Sequence, residues 1–311
     1  MTGRTITYLG VALTMAVFTV LWSTGTSLAG EARLNTAAIE RLTGAKGELS
    51  EKEGVFKVSM PRSDLAITVA GVKMTPPLGL TSWAGFQQAG NQVMVMGDMV
   101  LLENQVNPVM SAALENGLEV TALHNHFLWD TPRVMFMHIG GMGGEATLAG
   151  AVGKVFATIQ HTSRRTSEVP RVERSPAETF LDPHTSELPQ VELSPAQTSL
   201  NPKVIEDLLG VKGQLASGVY KITLGRATTM HGHEVGNAMG VNTWAAFAGS
   251  DTEAIVDGDF VMLEPELQPV LKALRGAGIN IVAIHHHMIE ESPRTVFLHY
   301  WGIGPTRALA T

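Results

Sequence analysis

The sequence predicts an α+β fold of two homologous copies, each a mainly antiparallel sheet with a packed helix, related by a pseudo-two-fold axis. Three observations carry this. From about Ile67 onward the two halves align without gaps at a constant offset of 161 residues. Within each half, short alternating or β-branched runs are bounded by Gly, Pro and Asn, as strands are. Helix-period segments fall at the same points of both halves. Duplicated domains commonly pack about a pseudo-two-fold axis, so one closely packed unit is expected.

The elements follow in order. A short helix opens each copy, Thr36 to Leu42 and Lys203 to Leu209. Four strands are predicted next in the first copy: Gly54–Met60, Leu65–Val72, Leu80–Gln87 and Gln92–Leu102. A helix over Val106–Glu115 places Val106, Val109, Met110, Ala113 and Leu114 at helical spacing, and Gly117 is its stop signal. Two strands close the copy, Glu119–His126 and Arg133–Gly140, matched by Asn280–His287 and Arg294–Trp301. Residues 1–29 carry the pattern of a secretory signal peptide: Arg4, an apolar run from Tyr8 to Trp22, and the small-x-small site Ser27-Leu28-Ala29. That run is shorter than the roughly 20 residues a span needs, so cleavage and a periplasmic or secreted protein without stable membrane insertion are expected. The copies are 30–160 and 200–311. The Pro/Ser/Thr-rich stretch 161–199 between them, with no helix or strand period, reads as a connector. His161 and His184 in it are given no role.

The matched residues are specific. Gly44-Ala45-Lys46-Gly47 answers Gly210-Val211-Lys212-Gly213, Trp83 answers Trp244, and Gly97-Asp98 answers Gly258-Asp259. His124, His126, Pro132, Arg133, Phe136 and His138 answer His285, His287, Pro293, Arg294, Phe297 and His299. Residues two apart on a strand share a face. His124 and His126 therefore share one, and a hairpin through 127–132 brings His138 opposite His124 on that face. Clustered imidazoles resist burial without a partner, and three of them suit zinc, copper, nickel or iron. The alternative is a polar hairpin whose histidines bond to backbone and water. In the second copy His231 and His233 form another same-face pair, where the first copy has Ala70 and Val72, so the stronger site is expected there. Arg133 and Arg294 either clamp an anion or pair with Asp98 and Asp259 or Glu103 and Glu264. Trp83 and Trp244 read as core. Met135 and Met137 should face away from the histidines, and alternating methionine reads as packing.

Composition narrows the function. With 22 basic residues, a formal charge of −7 and no basic block, nucleic acid is not an expected partner. The absence of cysteine excludes disulfides, thiolate metal ligands and cysteine nucleophiles.

The stretches Gly258–Glu264, Pro269-Val270, Ala122–His126 and Pro132–His138 resemble the LppY/LpqO-like family, exported bacterial proteins built on a domain of unknown function. The resemblance covers both copies and implies export and domain identity, without an activity. The lipid-acceptor cysteine of the family's lipoproteins is missing here.

The leading expectation is an exported protein that binds a divalent metal ion, zinc or copper, through His285, His287, His299, His231 and His233, with His124, His126 and His138 as a second set. One alternative is a metal-dependent hydrolase, with Glu234 or Glu264 as general base and Arg294 orienting an anionic substrate. Another is a metal-free cell-envelope module binding a small molecule between the copies.

Overall fold

The computed structural model describes residues 33–168 and 193–311. The expected signal peptide and most of the expected connector lie outside the described residues. The first copy runs α1 (Thr36–Thr43), β1 (Lys46–Ser50), β2 (Val55–Pro61), β3 (Thr68–Val69), β4 (Val72–Lys73), β5 (Thr81–Ala89), β6 (Gln92–Leu102), α2 (Val106–Glu115), β7 (Glu119–His124), β8 (Asp130–Thr131), β9 (Val134–Gly143) and α3 (Glu145–Glu168). The second runs α4 (Pro202–Leu209), β10 (Gln214–Ala216), β11 (Val219–Gly225), β12 (Thr228–Met230), β13 (His233–Val235), β14 (Asn242–Gly249), β15 (Ala254–Leu263), α5 (Glu264–Gly276), β16 (Asn280–His285), β17 (Thr295–Gly304) and α6 (Thr306–Leu309). Each copy builds a six-stranded sheet of the same order, β1-β2-β5-β6-β9-β7 and β10-β11-β14-β15-β17-β16. Every pairing in both sheets is antiparallel.

Local chemistry explains the repeated motifs. Asn35 caps α1 by accepting from Ala38 N at 3.0 Å, and Asn201 caps α4 from Lys203 N at 3.1 Å. Gly44 and Gly210 end these helices in the left-handed region, at φ 70° and 69°, where an L side chain is strained. In Gly97 and Gly258 the reason is space: a Cβ there would stand 2.5 Å from the carbonyl oxygen of Trp83 or Trp244.

The structure departs from the sequence reading in several places, beginning with β1 and β10, edge strands that the sequence reading does not contain. Leu65–Val72 is not one strand; the chain turns at Ala70 and Gly71 (φ 50° and 85°) between β3 and β4. The first copy ends in a helix, α3, whose apolar Leu148, Val152, Val155 and Ile159 lie buried against the sheet at helical spacing. That helix reaches Glu168 and takes in His161, so the connector starts later than residue 161. The strands carrying the histidine pairs stop at His124 and His285, leaving His126 and His287 on the loops that follow.

Alternation divides each sheet into two faces. Phe56, Val58, Phe86, Val95, Met137 and Ile139 point outward into a core closed by α1, α2 and α3. Tyr220, Ile222, Phe247, Val256 and Leu298 do the same beneath the helices of the second copy. The inner faces meet each other, and each copy lays an arm on its neighbour's sheet. Ile67, Val69, Val72 and Phe127 pack on Ala246, Ile255 and Trp301. In return Met230, Val235, Met239 and Met288 pack on Val55, Met94 and Met96. Thr121 Oγ1 donates to His287 O at 2.7 Å, and Gln87 Nε2 to Glu234 O at 3.0 Å, across the same seam. Arg33–Thr311 thus forms one compact unit, which extraction of either half would strip of its inner core. When a protease site engineered into 169–192 is cut, both fragments should elute together at full mass on a sizing column; two separate folded species would refute the shared core.

Candidate metal centre

The central row of each sheet is built by register. In the first copy, Ser59, Trp83, Asp98, His138 and Ala122 sit side by side across β2, β5, β6, β9 and β7. In the second, Thr223, Trp244, Asp259, His299 and Ala283 form the same row. Strict alternation would then turn His124 outward with Val120, which packs in the outer core. A β-bulge between Val120 and Ala122 shifts the parity, and Ala122 and His124 come to the inner face. The bulge between Ile281 and Ala283 does this for His285.

Six histidines meet where the two rows face each other. His124 and His285 have ring centroids 3.8 Å apart; His126 and His299 are at 3.6 Å, and His287 and His138 at 4.0 Å. The last two contacts exchange under the 161-residue offset, while the first maps onto itself. The pseudo-two-fold axis therefore passes between His124 and His285. Phe136 stacks on His126 at 3.3 Å and Phe297 on His287 at 3.4 Å. Asp98 Oδ2 lies 3.8 Å from His126 Nε2, and Asp259 Oδ2 lies 3.3 Å from His287 Nε2.

The expected picture of one site per copy, stronger in the second, gives way to one shared centre. One ligating atom each of His124, His285 and His299 lies within 4.8 Å of the other two. The same holds for His138, His285 and His287, so both triads draw on both copies. A further group, Asp98, His124 and His138, brings in a carboxylate. His231 and His233 stand elsewhere: His231 Nδ1 lies 3.9 Å from exposed Glu290, and His233 sits beside Gly90. Glu234 and Glu264 are exposed, the latter opening α5. Arg294 contacts His286 Nε2 at 3.4 Å instead of Asp259 or Glu264, and among the described residues neither it nor Arg133 forms the expected ion pairs.

Electrostatics make the cluster demanding. Each of the six histidines is at most 8 % exposed. Burial, with contributions from neighbouring imidazoles for some of them, pushes all six below the ordinary range, His124 to about 3 and His138 to about 4. Burial pushes the carboxyls the other way, Asp98 up to about 6, and Asp257 and Asp259 well above the usual carboxylate range. Nine ring nitrogens of the cluster have no hydrogen-bond partner in the protein. At about 1–3 kcal/mol each, their cost is comparable with the whole net stability of a typical fold, roughly 5–15 kcal/mol. Two of the three remaining nitrogens are informative. His138 Nδ1 meets Gly97 O at 3.3 Å and His287 Nδ1 meets Gly240 O at 3.2 Å. A carbonyl only accepts, so Nδ1 carries the proton and Nε2 offers its lone pair to the centre.

Trp83 and Trp244, expected in the core, line a cavity of about 680 Å³ whose floor includes His126, His138, His287 and His299, with Trp244 also packing against the inner core. Lys57 lies over Trp83, 3.7 Å from the ring centroid, and Lys221 over Trp244 at 4.0 Å. Burial and the neighbouring Lys221 bring Lys57 down to about 8. Neither lysine carries a local signal in the sequence, and Asp98 and Asp259 read there only as arginine partners. The two aspartates share a row with Trp and His, and the lysines stand one step along the strand on the same face; both relations need the strand register to be seen. Met135 and Met137 face the outer core, as alternation requires. No helix among the described residues is long and apolar enough to cross a membrane.

A family model described as Domain of Unknown Function (DUF1259) matches residues 37–158 and again 203–311. No curated protein and no solved structure matches the chain.

The depressed histidines fix a pH dependence. Below the ordinary histidine value near 6.5, the unfolded chain gains protons that the fold refuses, so stability falls as pH falls toward 4. The raised carboxyls act oppositely: the fold holds protons the unfolded chain has lost, and this contribution disappears as pH rises through about 6 for Asp98. Six histidines outnumber three carboxyls, so chelator-treated protein should lose urea resistance steadily from pH 6.5 to 4.5. A midpoint flat across that window would show that the imidazoles are not held neutral.

Proposed function

We propose, for a chain that belongs to the Domain of Unknown Function (DUF1259) family and carries that domain twice, that the six-histidine centre holds a divalent transition-metal ion, zinc or copper. The observation that carries this reading is the set of unpartnered ring nitrogens converging from both copies in a buried site. A cation accepts those lone pairs and also offsets the charge of Asp98 and Asp259, so it relieves both costs together. The donor set is imidazole and carboxylate, with no thiolate available, which suits zinc or copper(II) over softer-ligand chemistry. His138 and His287 are already oriented by backbone carbonyls, as metal-bound histidines are.

The test is metal uptake by purified protein, measured as metal content and by calorimetric titration with zinc and with copper(II). The double variant His285→Ala/His287→Ala should lose most of the uptake, and His124→Ala/His126→Ala should lose as much although it alters only the first copy. His231→Ala/His233→Ala should bind as the parent does. Unchanged metal content in the first two variants would overturn the reading.

We also propose that the protein acts outside the cytoplasm, on the strength of the n-region, apolar run and small-x-small site in residues 1–29. Protein recovered from the periplasm or medium should begin at Gly30 on N-terminal sequencing. Recovery with Met1 intact from the cytoplasm alone would sink this.

A further inference from the structure

The cavity beside the histidine centre has features that metal binding leaves unused. Lys57 and Lys221 occupy equivalent places on β2 and β11 and project from the inner faces into one cavity. Neither ammonium has a hydrogen bond or an ion pair to a described residue; each rests over its tryptophan, with Asp98 and Glu53 acting on Lys57, and Asp257 and Asp259 on Lys221, from beyond ion-pair distance. Two like charges brought together on a pseudo-two-fold axis repel, and an anion placed between them removes the repulsion. The lining also explains why such an anion would depend on the cation. Two lysines face three carboxylates, Glu48, Asp98 and Asp259. Burial favours the neutral form of Asp259, and Glu48 and Asp98 offset the two lysines, so that lining alone carries little net charge to draw an anion. One divalent ion at the floor makes it net positive. The rim, with exposed Glu48 and Gln214, meets solvent, while the histidine floor is buried, so a ligand entering from the rim passes the lysines before it reaches the metal. About 680 Å³ falls within the size range of small-molecule sites.

We infer that this cavity binds the oxyanion end of a small molecule, a carboxylate or a phosphate, held jointly by Lys57, Lys221 and the cation at the histidine centre. The inference rests on the metal reading above and extends it: it names the ligand class and makes anion binding conditional on metal.

The experiment uses the full mature chain, chelator-treated and then zinc-loaded, titrated by calorimetry with inorganic phosphate in one arm and succinate in the other. Zinc-loaded protein should bind at least one of them, and metal-free protein neither; phosphate alone assigns a phosphoryl ligand, and succinate alone a carboxylate. In Lys57→Met/Lys221→Met, zinc content should be unchanged, while anion affinity falls at least tenfold. Lys57→Arg/Lys221→Arg, which keeps the charge, should retain most of it. Zinc uptake without binding of either anion by the parent overturns this inference and leaves the metal reading standing. So does unaltered anion affinity in the methionine variant. Failure of the parent to take up zinc or copper(II) overturns both.

Discussion

Everything in the molecule is arranged around the removal of six imidazoles from water. An imidazole in bulk solvent carries a proton part of the time and always has hydrogen bonds to make. Here two sheets close on the rings from both sides, Phe136 and Phe297 cover two of them, and the protonated state becomes too costly to hold. The outer cores with their helices keep each sheet rigid. The crossed arms keep the inner faces pressed together. Weakening either would readmit water and dissolve the electrostatic character of the centre before any ligand was lost.

The sequence made the repeat, most sheet strands and the paired histidines legible, because these are local patterns or matches within one chain. His124, His126 and His138 are close together as alternation and a hairpin suggest, yet the reason is different. A regular β7 would have presented His124 to the outer core, and only the bulge at Val120/Ala122 brings it inward. No residue type announces that bulge. The union of both triads was equally hidden, since one copy's pattern says nothing about which face meets the other copy. His231 and His233 illustrate the converse: a same-face pair beside glycines is a strong pattern locally, but its arm is committed to packing Met230 and Val235 on the first copy's sheet, away from the centre. The helix α3 had a readable apolar period at Leu148, Val152, Val155 and Ile159, lost from view because the second copy has no equivalent of that length.

The two rows also show how a β-sheet can grade chemistry along a line. From β9 toward β2, the first copy presents imidazole, carboxylate, indole and then hydroxyl, with the Lys57 ammonium one step along the strand on the same face. The second copy presents the same series with Thr223 in place of Ser59 and Lys221 in place of Lys57. Facing rows of this kind place a buried imidazole floor and a charged wall about two or three strands apart without any loop having to be ordered. This is rigidity of the sort a fixed coordination geometry needs.

The axis between His124 and His285 has a consequence for heredity. In a pair of identical chains, any substitution appears on both sides of the axis at once, and an asymmetric centre is impossible to encode. Joining the two copies in one chain removes that restriction. The second copy carries buried Asp257 where the first has Met96, so a carboxylate stands on one side of the seam and a thioether on the other. Each half is free to mutate separately as long as the rings still meet, and the duplicated gene can explore unequal halves that no homodimer could inherit.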